Sequence, residues 1–103
     1  MALDAKRIGI EIVLVYIGTE HVEINLARIK KRVLLGGHDV PEADVRRRYN
    51  RSLENLPLAI ERAHHTILFD NSTEEGYRLI AVLSAGENQW LQIPPEWASG
   101  IKH

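Results

Sequence analysis

Arginine is the residue type in this chain whose number and spacing most invite chemistry. Arg28 and Arg32 stand four apart, and Arg46, Arg47, Arg48 and Arg51 follow in a second cluster. On a helix, residues four apart lie one above the other, so Arg28 and Arg32 can point together into the edge of a cleft. In the second cluster Arg48 borders the apolar stripe, while Arg47 and Arg51 pair one turn apart farther out. The planar guanidinium fork matches phosphate oxygens. Several forks converging on one polyphosphate can stabilise charge that develops during group transfer. The competing reading is that arginines beside an apolar stripe lay their stems along it and leave their heads in water.

Gly36-Gly37-His38-Asp39 is the most unusual local sequence. Two glycines permit positive φ and close approach to a ligand, and His38 adds a titratable hydrogen-bonding ring. The same residues also read as a helix C-cap followed by an incidental histidine. Asp70-Asn71-Ser72 follows an apolar run, at the carboxyl edge where open α/β sheets bind ligands, and reads equally as a polar turn. His64 and His65 are adjacent, so on a helix they diverge by about 100° and suit a helix C-terminus better than a metal. His21 and His103 are weaker candidates still. Trp90 and Trp97 are expected to cover a terminal hairpin, and no metal site is expected.

Secondary elements must bring these groups together. Residues 8–17, IGIEIVLVYI, form a β-branched and apolar run that predicts a strand buried on both faces, as in a parallel sheet. Thr19 can cap the helix that follows, with Val22, Leu26, Ile29 and Val33 along its inner face and Gly36-Gly37 as its stop. Pro41 opens a second helix with Val45, Tyr49, Ser52 and Leu56 facing inward. Pro57 is expected to interrupt it, leaving a third short helix over 58–65. A strand over 66–70 and a hairpin of strands 78–84 and 89–93 complete the order β-α-α-α-β-β-β. Such a strand–helix–strand return predicts a doubly wound α/β fold.

The composition supports one folded domain: 103 residues, 45% apolar and 26% charged. No cysteine is present, which excludes a disulfide framework, a thiolate zinc site and a cysteine nucleophile. Neither a signal peptide nor a membrane span is legible, so a cytoplasmic chain is expected. The net charge of -1 hides an asymmetry, because residues 28–51 carry eight cations against three acids. That local field predicts a discrete anion site. A nucleic-acid-coating surface would carry a strongly positive total, so nucleic-acid binding ranks last.

The stretch over residues 36–72 resembles the C-terminal half of zeta-toxin-like P-loop kinases. Three segments carry the resemblance: Arg32-Val33 through Gly36-Gly37-His38 to Val40-Pro41, Arg47-Arg48-Tyr49 through Arg51-Ser52-Leu53 to Asn55-Leu56-Pro57, and Asp70-Asn71-Ser72. It extends upstream through Leu26-Ala27-Arg28. The resemblance implies a partial P-loop kinase-like fold with residues 36–56 as a lid-like segment over the phosphates of ATP. Arg28, Arg32, Gly36, Gly37, His38, Arg48, Arg51 and Asn71 are then the phosphate- or nucleotide-binding residues. Zeta toxins phosphorylate a UDP-linked amino sugar. ATP and Mg²⁺ are implied as cofactors, but none of the seven glycines begins the Gly-x4-Gly-Lys-Ser/Thr turn that cradles phosphates and holds Mg²⁺. The chain is therefore expected to be a lid-bearing segment, inactive in phosphate transfer alone. Its expected partners are a polyphosphate anion and either a second copy or an N-terminal P-loop half. The alternative is a non-catalytic interaction module that covers an open sheet edge by association.

Overall fold

The computed structural model describes residues 2–9 and 11–101. Strands β1 (Ala2–Ile8) and β2 (Glu11–Gly18) are followed by helices α1 (Val22–Leu34) and α2 (Glu42–Arg62). Strands β3 (His65–Asp70), β4 (Arg78–Ser84) and β5 (Glu87–Trp90) come next, then a 3-10 turn over Glu96–Ala98. The sheet is five-stranded and mixed, in the order β1-β2-β3-β4-β5. Among the described residues only β2 and β3 run parallel, which is where the two helices make the crossover; every other neighbouring pair is antiparallel.

The fold is α/β, and its element order, β-β-α-α-β-β-β, corrects the expected one in two places. Residues 8–17 are not one strand: β1 ends at Ile8, Gly9 turns the chain at φ +62°, and β2 starts at Glu11. Ile10 of the predicted strand lies outside the described residues, as does His103. Burial of that run on both faces does not hold either. Leu14, Tyr16 and Gly18 are buried while Val13, Val15 and Ile17 are only half-buried, the alternation of a sheet with one well-covered face.

Pro57 does not end α2, which runs unbroken through it, so the separate helix expected over 58–65 does not form. The apolar stripe continues on both sides of the proline: Leu56 is 1% exposed, and Leu53, Ala59, Ile60 and Ala63 pack against the core. Pro57 itself faces solvent, where water can satisfy the carbonyl that loses its helical donor. Tertiary packing overrides the local penalty.

The core lies between α2 and the Leu14, Tyr16, Leu68 and Leu83 face of the sheet, with Ala98 and Ile101 of the C-terminal segment joining it. Ile80 is the extra residue of a bulge where the β3–β4 register shifts, and it is fully buried. Trp97 lies over the end of β2 with its ring 5.4 Å from that of Tyr16. A Cβ on Gly18 would sit 2.4 Å from the indole, so this glycine is required by close approach. Trp97 thus caps the end of the parallel pair rather than the hairpin.

Candidate functional site

Two helices supply matching stripes to a cleft at the carboxyl ends of β2 and β3. Asn25, Arg28, Ile29 and Arg32 of α1 and Val45, Arg48, Tyr49 and Ser52 of α2 each fall at i, i+3, i+4 and i+7, so each set shares one helix face. Thr19, just after β2, and Asn71, just after β3, close its floor. The cleft measures about 790 Å³ and is lined further by Ile17, Lys31, Val40 and Tyr77. This is the edge at which open α/β sheets bind ligands.

Its electrostatics are one-sided. Arg28, Lys31, Arg32 and Arg48 line the cleft, and no described Asp or Glu does. Among the described residues none of these four forms an ion pair, whereas Arg46 meets Glu42 at 3.2 Å and Glu23 at 3.5 Å, and Arg47 meets Asp44 at 2.7 Å. Those neighbouring pairs neutralise the outer side of the second cluster and join α2 to α1 through Glu23. Arg28 makes one long hydrogen bond, 3.4 Å to the Thr73 carbonyl, which ties the β3–β4 loop to α1. Lacking a carboxylate of their own, these guanidinium groups are open to an external anion.

Buried hydrogen bonds hold the floor. The Tyr49 hydroxyl donates to the Thr19 carbonyl at 2.7 Å, and burial, reinforced by the charges of Glu20, Glu23 and Asp70, pushes its pKa above the ordinary tyrosine value. Thr19 does not cap α1 as expected: the N-cap is His21, and the Thr19 hydroxyl donates to Asn25 at 3.1 Å instead. Asp70 is 3% exposed and fully engaged, accepting from the Ser72 hydroxyl at 2.8 Å, the Ser72 amide at 3.2 Å and the Trp97 indole at 2.8 Å. The Ser72 hydroxyl in turn accepts from the Glu20 amide. Asp70 and Ser72 therefore brace the turn that presents Asn71.

Of the residues singled out from sequence, Arg28, Arg32, Arg48 and Asn71 line the cleft. Gly36, Gly37, His38 and Arg51 lie outside its lining and are exposed. Gly36, at φ +96°, ends α1, and the Gly37 amide donates to the Arg32 carbonyl at 2.8 Å, leaving a Cβ on Gly37 only 2.9 Å from that oxygen. The glycine pair is thus a helix C-cap, and it sets where the chain leaves Arg32. Lys31 and Tyr77 escaped the sequence reading. The signal for Lys31 is its spacing, three residues after Arg28 on the same helix; Tyr77 carries no periodic signal.

A second constellation was also unforeseen. His65 is not at a helix end: α2 stops at Arg62 and His65 opens β3. Its Nδ1 lies 2.8 Å from the Ser84 hydroxyl and its Nε2 2.9 Å from a Glu11 carboxylate oxygen. Serine, histidine and acid in contact invite a hydrolytic reading. Yet none of the three lines the cleft, and Ser84 belongs to a paired strand rather than a turn that would offer its hydroxyl to substrate. The trio pins β2, β3 and β4 together. His64 continues that seam, its Nδ1 accepting from the Ile12 amide at 2.8 Å.

Among the described residues no cluster of three or more His, Asp or Glu side chains could hold a metal ion, and no helix is long and apolar enough to cross a membrane. A stretch of 45 residues is 56% identical to an uncharacterized protein of Haemophilus influenzae, spanning 44% of this chain and 32% of that protein. No family profile and no solved structure matches the chain.

Proposed function

We propose that the cleft between α1 and α2 binds a polyphosphate anion, a nucleotide in the first instance, and that the chain is the lid-bearing part of a zeta-toxin-like kinase. The observation that carries the reading is four cations without carboxylate partners around a concavity at the carboxyl edge of the parallel pair. On this reading Arg28, Arg32 and Arg48 grip phosphate oxygens from two sides, Lys31 adds a point charge, and Asn71 offers its amide at the floor. Residues 36–56 are the lid-like segment. Mg²⁺ does not fit the described residues of this cleft, none of which is a carboxylate, so no step is routed through it. Phosphoryl transfer would require a P-loop from outside this sequence.

Titration calorimetry with ATP and with inorganic tripolyphosphate tests the reading. Both are expected to bind, more weakly as salt rises. Arg32→Ala and Arg48→Ala should each weaken binding by about tenfold or more, since a hydrogen bond to a charged group is worth roughly 1.5–3 kcal/mol. Arg47→Ala, which loses only its exposed pair with Asp44, should leave affinity near that of the parent chain. Equal affinity in all three variants would refute the assignment.

A further inference from the structure

Tyr77 is the feature of the cleft that phosphate binding does not use. It is 65% exposed, a large aromatic left in solvent at the rim of a cationic concavity. Its placement is built rather than loose. Gly76 takes φ +96° immediately before it, and the loop that carries it is tied down at three points. The Asn71 amide donates to the Gly18 carbonyl at 2.8 Å, the Glu20 amide donates to the Ser72 hydroxyl at 2.9 Å, and Arg28 reaches the Thr73 carbonyl. Phe69 meets the Tyr77 ring at 6.5 Å and 69°, an edge-to-face pair that fixes its orientation. Beyond it the cleft wall is apolar, with Ile17, Ile29, Val40 and Val45. An anion composed of phosphates alone would satisfy the cations and leave that wall and ring in contact with water.

Resting on the polyphosphate reading above, we infer that the ligand carries a flat aromatic ring beside its phosphates, and that Tyr77 is the platform on which that ring stacks. A nucleobase is the chemical class that fits: stacking on an aromatic side chain tolerates any base and is worth about 1–3 kcal/mol per base. Asn71, on the same loop, has an amide to offer a base edge. Tyr77 is thus a specificity residue that separates nucleoside polyphosphates from inorganic ones, while the arginines bind either.

The test compares ATP with tripolyphosphate on the parent chain, Tyr77→Ala, Tyr77→Phe and Arg32→Ala by calorimetry. The parent chain should prefer ATP. Tyr77→Ala should lose about tenfold in ATP affinity and change tripolyphosphate affinity by less than about twofold. Tyr77→Phe should keep the preference, because the ring and not the hydroxyl provides the contact, and Arg32→Ala should weaken both ligands together. A parent chain that binds the two anions equally, or a Tyr77→Ala variant that weakens both alike, overturns the stacking role while leaving the anion site intact. If neither anion binds the parent chain, the polyphosphate reading falls and the role of Tyr77 falls with it.

Discussion

At the residue scale, neighbouring arginines in one helix have different surroundings. Arg46 and Arg47 are bound to carboxylates, and Arg48, one position on, turns with the stripe into the cleft. Helical spacing makes that legible: it sets Arg48 at the border of the apolar stripe and stacks Arg28 over Arg32, pointing together into a cleft edge. The glycine pair was legible only as two open alternatives, because a pair that frees a ligand loop and a pair that caps a helix have the same sequence. The core beneath the cleft also carries a titration. Tyr16 is fully buried with its hydroxyl 3.1 Å from that of Ser52, and burial pushes its pKa up to about 12 from 10. The unfolded chain releases this proton at lower pH than the folded one, so the stabilisation is complete below pH 10 and is lost as pH rises to about 12. Denaturant melts should therefore fall by about 2–3 kcal/mol across that window. Tyr16→Phe should flatten this part of the profile; an unchanged slope would locate the titration elsewhere.

At the element scale, the two helices differ in what holds them. α2 buries Val45, Tyr49 and Leu56, whereas α1 has no buried residue and leaves Leu34 and Leu35 86% and 80% exposed. α1 rests on half-buried contacts, the hydrogen bonds of Asn25 with Thr19 and of Arg28 with the Thr73 carbonyl, and the exposed Glu23–Arg46 pair, which contributes at most about 1 kcal/mol. Its amides should exchange with solvent well before those of α2, since local opening follows sparse burial. Saturating tripolyphosphate should slow α1 exchange selectively by joining Arg28 and Arg32 to Arg48. Uniform exchange across both helices, or protection confined to α2, would contradict this. The continuity of α2 was the least legible element: a proline usually marks a boundary, and only the core contacts of Leu56, Ala59 and Ile60 explain why Pro57 does not. The β1–β2 turn was hidden for the opposite reason, a lone glycine in a β-branched run that only Glu11 otherwise interrupts.

At the scale of the whole molecule, one parallel pair flanked by antiparallel strands creates a single carboxyl edge, and the cationic cleft with Asn71 and Tyr77 lies at it. The strand–helix–strand return was legible from the order of elements. The antiparallel neighbours were not, because pairing direction depends on connections longer than any local pattern. With no phosphate-cradling glycine turn in the sequence, the purified chain given ATP should release no ADP above the uncatalysed background. Sustained turnover would show that the cleft supplies more than grip. The same edge holds the indole of Trp97, which rests on Gly18 and bonds to Asp70, the residue adjoining the cleft floor at Asn71. The protein thus carries its own optical gauge: a ligand that pulls on Asn71 should disturb the emission of Trp97, and with Trp90→Phe removing the second indole, occupancy can be followed without attaching a dye.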